Sequence, residues 1–367
     1  MSLFKTIHAK WREIISKNRI FSLLESIFKS YGQVLICLNS LTGLTLSLLV
    51  FFVSKRLWLF TLMGVGCAVL IALLLRARTF HIHSGVYGFN SVILGLAWPW
   101  FVKINTVSII LFLVIACLSS LIIKFLIDFT SRIKSNPPFL SVPAVILIWA
   151  ISILFHLFPF LNNLIGPDPG ILNSLENFQT NLTHLSRHFD LFLVLKTFRL
   201  HIFCLMVILL AVGLHSRISL LLATFYFLMT VFVVFFLGGW QEFQYIELYV
   251  YNSIPCGVAL GGIFLVLTRP VFWLSCLAVI LVNVLVFLGI RYFPLPVFVL
   301  PFNFVTILAI VMVKSGWLKR EHDFYGVPME MVSSPELGLQ WLKGEIYAQN
   351  YWRKMEKLGF KIFYKNF

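Results

Sequence analysis

The sequence has little charge, and this scarcity excludes most classes of soluble protein. Only 12% of its 367 residues are charged, acidic residues number 14, and 60% of the chain is apolar, with a mean hydropathy of +0.94. A surface in contact with water needs many more polar side chains than this. Because about 20 apolar residues cross a bilayer and uncharged apolar runs recur along most of the chain, we predict a polytopic membrane protein. Soluble enzymes and soluble nucleic-acid-binding modules are excluded.

Residues that bind metals or close disulfides are also few and scattered. The six cysteines lie singly inside apolar segments without the spacing of a metal site, so we expect them to be reduced packing residues. His81 and His83 are two residues apart, but no carboxylate or cysteine joins them to complete a site. We therefore predict no metal and no cofactor. The sequence also lacks the clustered catalytic set that would indicate a membrane enzyme.

The basic residues give the chain a net charge of +15 and are concentrated at its two ends. Of the 29 lysines and arginines, 15 precede residue 31 or follow residue 313. By the positive-inside rule both termini are predicted to be cytoplasmic, which requires an even number of crossings. Because topology explains this charge, we expect no nucleic-acid partner.

Hydrophobic runs interrupted by charge, proline or glycine predict ten segments in two sets of five. The first set is 32–53, 57–75, 86–101, 104–127 and 139–158, and the second is 189–214, 217–237, 247–267, 271–290 and 295–313. The predicted division is a cytoplasmic amphipathic segment 1–30, a first membrane repeat 31–158, a polar linker 159–188, a second membrane repeat 189–313 and a cytoplasmic tail 314–367. Five crossings per half would place the second half upside down relative to the first.

Similar residues recur at a nearly constant offset, as in a duplicated fold. The stretch around Asn90 recurs around Asn252, 162 residues later. Two prolines five residues apart, ending at Pro143, recur with the same spacing at Pro301. Such segments make poor continuous helices, and unwound backbone survives in a membrane only where protein packs on it or where it lines a cavity. Two inverted breaks therefore predict a pathway at a pseudo-two-fold axis, as in a transporter or channel.

Several of these stretches resemble the urea transporter family, of which the chain would be a divergent bacterial-type member. The resemblance covers roughly residues 30–313 and rests on Tyr31-Gly32-Gln33-Val34, Asn39-Ser40-Leu41-Thr42-Gly43, Gly85-Val86-Tyr87-Gly88-Phe89-Asn90 and Leu295-Pro296-Val297-Phe298-Val299-Leu300-Pro301-Phe302. It implies an all-α polytopic membrane protein with ten transmembrane helices in two inverted five-segment repeats, two half-spanning pore helices and a homotrimeric assembly. The implied activity is passive, channel-like permeation of urea.

A urea pore must replace the hydration of a small, planar, neutral solute with fixed acceptors, between apolar walls that hold it flat. By the resemblance, the pore residues are Gln33 and Asp190 at the opening of the two pore helices, Phe89 and Tyr251 in an aromatic slot, Ser141 and Val299 at positions that normally carry threonine, and Ile36, Ile93 and Leu191 as further pore residues. Asn90, Asn252, Pro143 and Pro301 are expected to support the broken backbone.

Three of these residues depart from the family pattern. Asp190 stands where glutamate is usual, Tyr251 adds a hydroxyl to a ring that is normally bare, and Val299 removes one of two central hydroxyls. A lost hydrogen bond in a narrow, desolvated passage costs about 1–3 kcal/mol. The expected substrate is therefore urea or a close small amide, with ammonia and water left open. Asp190 is equally consistent with an interfacial residue at a helix start.

Asp190 and Glu247 also motivate an alternative, an ion-coupled secondary transporter for another small solute, because carboxylates inside membranes are expensive and usually functional. This alternative predicts uphill uptake that an uncoupler abolishes. In both interpretations the chain is predicted to lie in a bacterial inner membrane or a plasma membrane. Its partners would then be the lipid bilayer and the solute.

Overall fold

The computed structural model describes residues 19–133, 138–158, 164, 166–169, 199–293, 295–315, 334–340 and 342–343. These residues are mostly helical. The helices are α1 (Arg19–Val34), α2 (Ser40–Val53), α3 (Lys55–Leu74), α4 (Thr79–His83), α5 (Phe89–Phe101), α6 (Thr106–Thr130), α7 (Val142–Leu157), α8 (Arg199–His215), α9 (Arg217–Gly238), α10 (Ile246–Val258), α11 (Arg269–Tyr292) and α12 (Leu300–Lys314). A 3-10 helix, Gly239–Tyr245, joins α9 to α10, and a π-helical turn, Ala259–Ile263, follows α10.

Within the described residues, four helical stretches are long and apolar enough to cross a membrane. They are α3, α6, α11 and the continuous stretch Arg217–Ile263, which contains α9 and α10. Five further apolar helices, α2, α5, α7, α8 and α12, are shorter. Large apolar side chains such as Phe236 and Trp273 are more than 60% exposed, which suits lipid and does not suit water. The chain is an integral membrane protein.

Polar side chains close the helix starts and join helices inside the protein. The Ser54 hydroxyl caps α3, and the Ser216 hydroxyl accepts the Ser219 N–H at the start of α9, 2.9 Å away. Deeper in the bundle, Ser91 and Ser119 share a hydrogen bond of 3.0 Å, and in the second half the Ser253 hydroxyl donates to Asn283 Oδ1 at 3.1 Å. Because lipid offers no partners, each such group must be satisfied within the protein.

The predicted segments each overlap a described helix, but their ends differ. The first run, predicted as continuous over 32–53, is interrupted because α1 ends at Val34 and α2 begins only at Ser40, where the Asn39 side chain accepts the Leu41 N–H. Helix α1 also crosses the boundary predicted at residue 30, and Ser26 and Ser30 on it are fully buried. The division into domains and the count of ten crossings stay predictions.

Candidate functional site

Helices α7 and α12 begin in the same way and lie against each other. Ser141 is the N-cap of α7 and Val299 is the N-cap of α12, and each helix has proline in its first turn, at Pro143 and Pro301. The residue before each cap is left-handed, with φ of 45° at Leu140 and 44° at Phe298. A bulky side chain in this conformation costs about 1–3 kcal/mol and needs support from its surroundings.

Two asparagines supply this support. The Asn90 side chain donates to Leu140 O at 3.3 Å and accepts the Ala144 N–H at 3.1 Å. In the second half, Asn252 donates to the carbonyl oxygen of Phe298 at 2.7 Å and accepts the N–H of Phe302 at 3.1 Å. Both asparagines are fully buried.

Each asparagine therefore bonds the carbonyl of a left-handed residue and an N–H in the first turn of a helix. Their role in supporting broken backbone stays a prediction. The further idea that this backbone lines a pore stays a prediction.

Ser141 and Asn303 connect the two helix starts directly. Asn303 lies in the first turn of α12, and its Oδ1 accepts both the Ser141 N–H at 3.1 Å and the Ser141 hydroxyl at 2.9 Å. Ser141 is 3% exposed and Asn303 1% exposed. Among the described residues, Asn303 Nδ2 has no hydrogen-bond partner. Asn303 is not among the site residues predicted from the sequence, although a polar residue inside an apolar membrane segment is a signal of function.

Gln33 lies in the last turn of α1, so the expectation that it opens a pore helix is wrong. The helix is described from Arg19 to Val34, and it ends there because Ile36 is left-handed, with φ of 59°. The Gln33 side chain donates to Ser84 O at 3.1 Å. Its backbone carbonyl accepts the Ile36 N–H at 2.9 Å. The end of α1 therefore contributes carbonyl oxygens.

The apolar candidates fall into two clusters that meet at Phe298. Ile36 and Val299 belong to the cluster of the second half, while Phe89 and Ile93 belong to a cluster of the first half. Phe298 packs on both clusters, and its ring centroid lies 5.5 Å from that of Phe101.

Tyr251 differs from the other candidates, since 37% of its surface is accessible. Asp190 and Leu191, the remaining two candidates, lie outside the described residues.

A cavity of about 290 Å³ lies between α5, α7 and the residues that precede α12. Its walls are mostly apolar and come from both halves of the chain: Leu94, Ala97, Trp98, Phe101, Ile148, Ile151, Ser152, Phe155, Leu295 and Pro296. The Trp149 indole donates to Pro296 O at 2.9 Å and holds the second half against this wall.

The buried acids that the structure describes are paired. Glu242, 4% exposed, forms an ion pair of 2.5 Å with Arg291 and accepts the Tyr249 hydroxyl at 2.7 Å. Asp168 forms an ion pair of 2.7 Å with Arg56. Glu247, which we considered as a coupling carboxylate, also has an interaction partner. Within the described ranges, no group of three or more histidine, cysteine or acidic residues could hold a metal ion.

A short segment near the C-terminus docks on the start of α9. The Glu336 carboxylate accepts the Ser216 hydroxyl at 2.7 Å and the Ile218 N–H at 3.0 Å. Pro335 packs on Gly262 in the π-helical turn. Burial alone would raise the pKa of Glu336, but these hydrogen bonds favour the carboxylate and the pKa is lowered from its ordinary value. The sequence predicted no function for this tail.

Comparison with known proteins identifies the larger part of the chain. The model of the urea transporter family matches residues 24–314, which include all of helices α2 to α12 and most of α1. A search of curated proteins found no match. The matched stretch contains every candidate residue named above and ends before the docked C-terminal segment.

Proposed function

Since the chain belongs to the urea transporter family, which is a family of transporters and channels and not of enzymes, we propose that it conducts urea passively across a lipid bilayer. The observation that carries this proposal is the family match over residues 24–314. The ion-coupled alternative is not favoured, because membership of this family suggests passive transport.

The passage runs between the two halves of the chain, past the starts of α7 and α12. The matched asparagine bridges at these starts support this location, because irregular backbone in a membrane is tolerated where it lines a cavity. The accessible ring of Tyr251 and the cavity at Phe101 lie on elements that meet there. Gln33, Ile36, Phe89 and Ile93 form the walls from the first half, with Asp190, Leu191 and Val299 from the second.

Urea or a close small amide is the substrate. Val299 stands at the cap that corresponds to Ser141 in the second half, so Ser141 supplies the hydroxyl at the centre. Its hydrogen is donated to Asn303, and its oxygen can accept an amide hydrogen of the solute. One hydroxyl, at Ser141, binds the amide group of urea less firmly than a pair of hydroxyls at both caps would. The aromatic and aliphatic walls set the width of the passage and favour planar solutes.

The protein crosses the membrane ten times in two inverted repeats, with both termini in the cytoplasm, and assembles as a homotrimer in a bacterial inner membrane or a plasma membrane. The repeat is supported by matched pairs: the left-handed residues Leu140 and Phe298, and the serine caps of α3 and α9. The basic ends of the sequence support the orientation.

Stopped-flow light scattering of proteoliposomes tests the proposal. The liposomes are challenged in turn with gradients of urea, acetamide, formamide and glycerol. Fast reswelling in urea, unaffected by an uncoupler, is the expected result. Swelling equal to that of empty liposomes would contradict it, and uptake against a gradient that collapses with the uncoupler would favour ion coupling. A Gln33→Ala variant that folds should conduct urea more slowly.

A further inference from the structure

The side-chain amide of Asn303 has a fixed orientation. Its Oδ1 accepts the backbone N–H of Ser141 at 3.1 Å, and a backbone N–H can only donate. Exchanging the oxygen and nitrogen of the amide would place two donors face to face. Nδ2 must therefore point away from Ser141.

This nitrogen is a buried donor whose hydrogens are unused within the described part of the chain. Asn303 is 1% exposed. Leaving such a donor without a partner costs more than a typical hydrogen bond contributes, and native proteins rarely do so without a reason. By contrast, both ends of the Asn283 amide are bonded, to Ser253 at 3.1 Å and to Val279 O at 2.8 Å.

The surroundings of Asn303 favour an acceptor. Helices α7 and α12 both start here, so the positive ends of two helix dipoles meet at this point. Val299, the cap residue of α12, offers no polar group of its own side chain. Asn303 Nδ2 would donate to the carbonyl oxygen of a neutral solute. The Ser141 hydroxyl oxygen, on the adjoining helix, would accept one of the solute's N–H groups.

We propose that Asn303 Nδ2 is a specificity-determining donor, which binds the carbonyl oxygen of urea or a small amide as the solute passes Ser141. The proposal rests on the proposed function and adds to it a named residue for carbonyl recognition. It explains how the passage selects an amide although Val299 carries no hydroxyl.

The test is the ratio of urea to water permeability in proteoliposomes. Asn303→Asp keeps an oxygen for Ser141 and removes the Nδ2 donor. Asn303→Val installs the residue that the chain carries at the matching position of α7, Val145, and serves if the aspartate does not fold. In either folded variant the ratio should fall about tenfold, the effect of losing one hydrogen bond. Asn283→Leu is the control, which should lower thermal stability and leave the ratio unchanged.

The possible failures are distinguishable. If the unaltered protein conducts urea and the folded Asn303 variants keep its urea-to-water ratio, the role of Asn303 is overturned and the proposed function stands. If Asn283→Leu lowers the ratio as much as the Asn303 variants, general loosening explains the effect and the inference is also overturned. If the unaltered protein conducts no urea, the proposed function fails and the inference fails with it.

Discussion

Asn90 and Asn252 perform the same task in the two halves of the chain. Each holds the carbonyl of a left-handed residue and the N–H of a helix start. Asparagine fits because its amide offers a donor and an acceptor on one short side chain. At the same scale the halves differ at the caps, where Ser141 faces Asn303 and Val299 faces apolar neighbours.

Replacing Asn90 with leucine should destabilise the protein. It leaves Leu140 O and the Ala144 N–H without their partner, at about 1–3 kcal/mol for each buried group. Thermal unfolding in detergent measures the loss. Asn105→Ala is the comparison, because it removes a helix cap at the start of α6 and should cost about 1 kcal/mol. An equal loss in both variants would contradict the role assigned to Asn90.

Introducing threonine at Val299 should raise selectivity for urea over water. The new hydroxyl would lie at the cap of α12 and restore a polar group opposite Ser141. One added hydrogen bond predicts an increase of about threefold to tenfold in the permeability ratio. Val297→Thr, two residues away in the same loop, is the control. An unchanged ratio in the Val299 variant would show that this cap does not face the solute.

At the scale of elements, close helix packing depends on two glycines at the repeat offset. A Cβ on Gly95 of α5 would lie 2.7 Å from backbone atoms of Thr61, and one on Gly257 of α10 would lie 2.3 Å from the Tyr226 ring. Helices in membranes approach closely through small residues. These contacts keep α5 and α10, which carry Phe89 and Tyr251, against α3 and α9.

Gly95→Ala should therefore destabilise the protein by about 1–3 kcal/mol, because backbone at Thr61 must move. Gly66→Ala is a matched control on α3, where an added Cβ meets nothing within 4 Å. Alanine there should be neutral or stabilise the helix by up to about 1 kcal/mol. The order of the two melting temperatures checks the packing, and the reverse order would refute it.

At the scale of the whole molecule, each half has an acid that lies after its last described helix, α7 or α12, and binds near the start of an earlier helix. Asp168 binds Arg56 near the start of α3, and Glu336 binds Ser216 and Ile218 at the start of α9. An acid at a helix start also complements the dipole. The tail thus belongs to the folded structure, at least at Glu336, although the family match ends at residue 314.

Glu336 should make stability depend on pH. Because its pKa is lowered in the folded state, its contribution is present above the ordinary pKa and is lost as pH falls through the folded value. Melting temperatures from about pH 7 to about pH 3 should show a steeper acid loss in the unaltered protein than in Glu336→Gln. Ser216→Ala removes one donor and should give an intermediate slope. Parallel slopes in all three proteins would contradict the docking.

The sequence by itself determined the membrane setting, the family, the approximate helical segments and the two breaks, because apolar runs, basic ends and proline are local signals. Tertiary structure alone decided where α1 ends, since that depends on the left-handed Ile36, and so it corrected the position of Gln33. It also decided that Asn303 meets Ser141, a contact between residues 162 positions apart. Local patterns predict elements, whereas a hydrogen bond between distant residues exists only once packing has brought its two helices together.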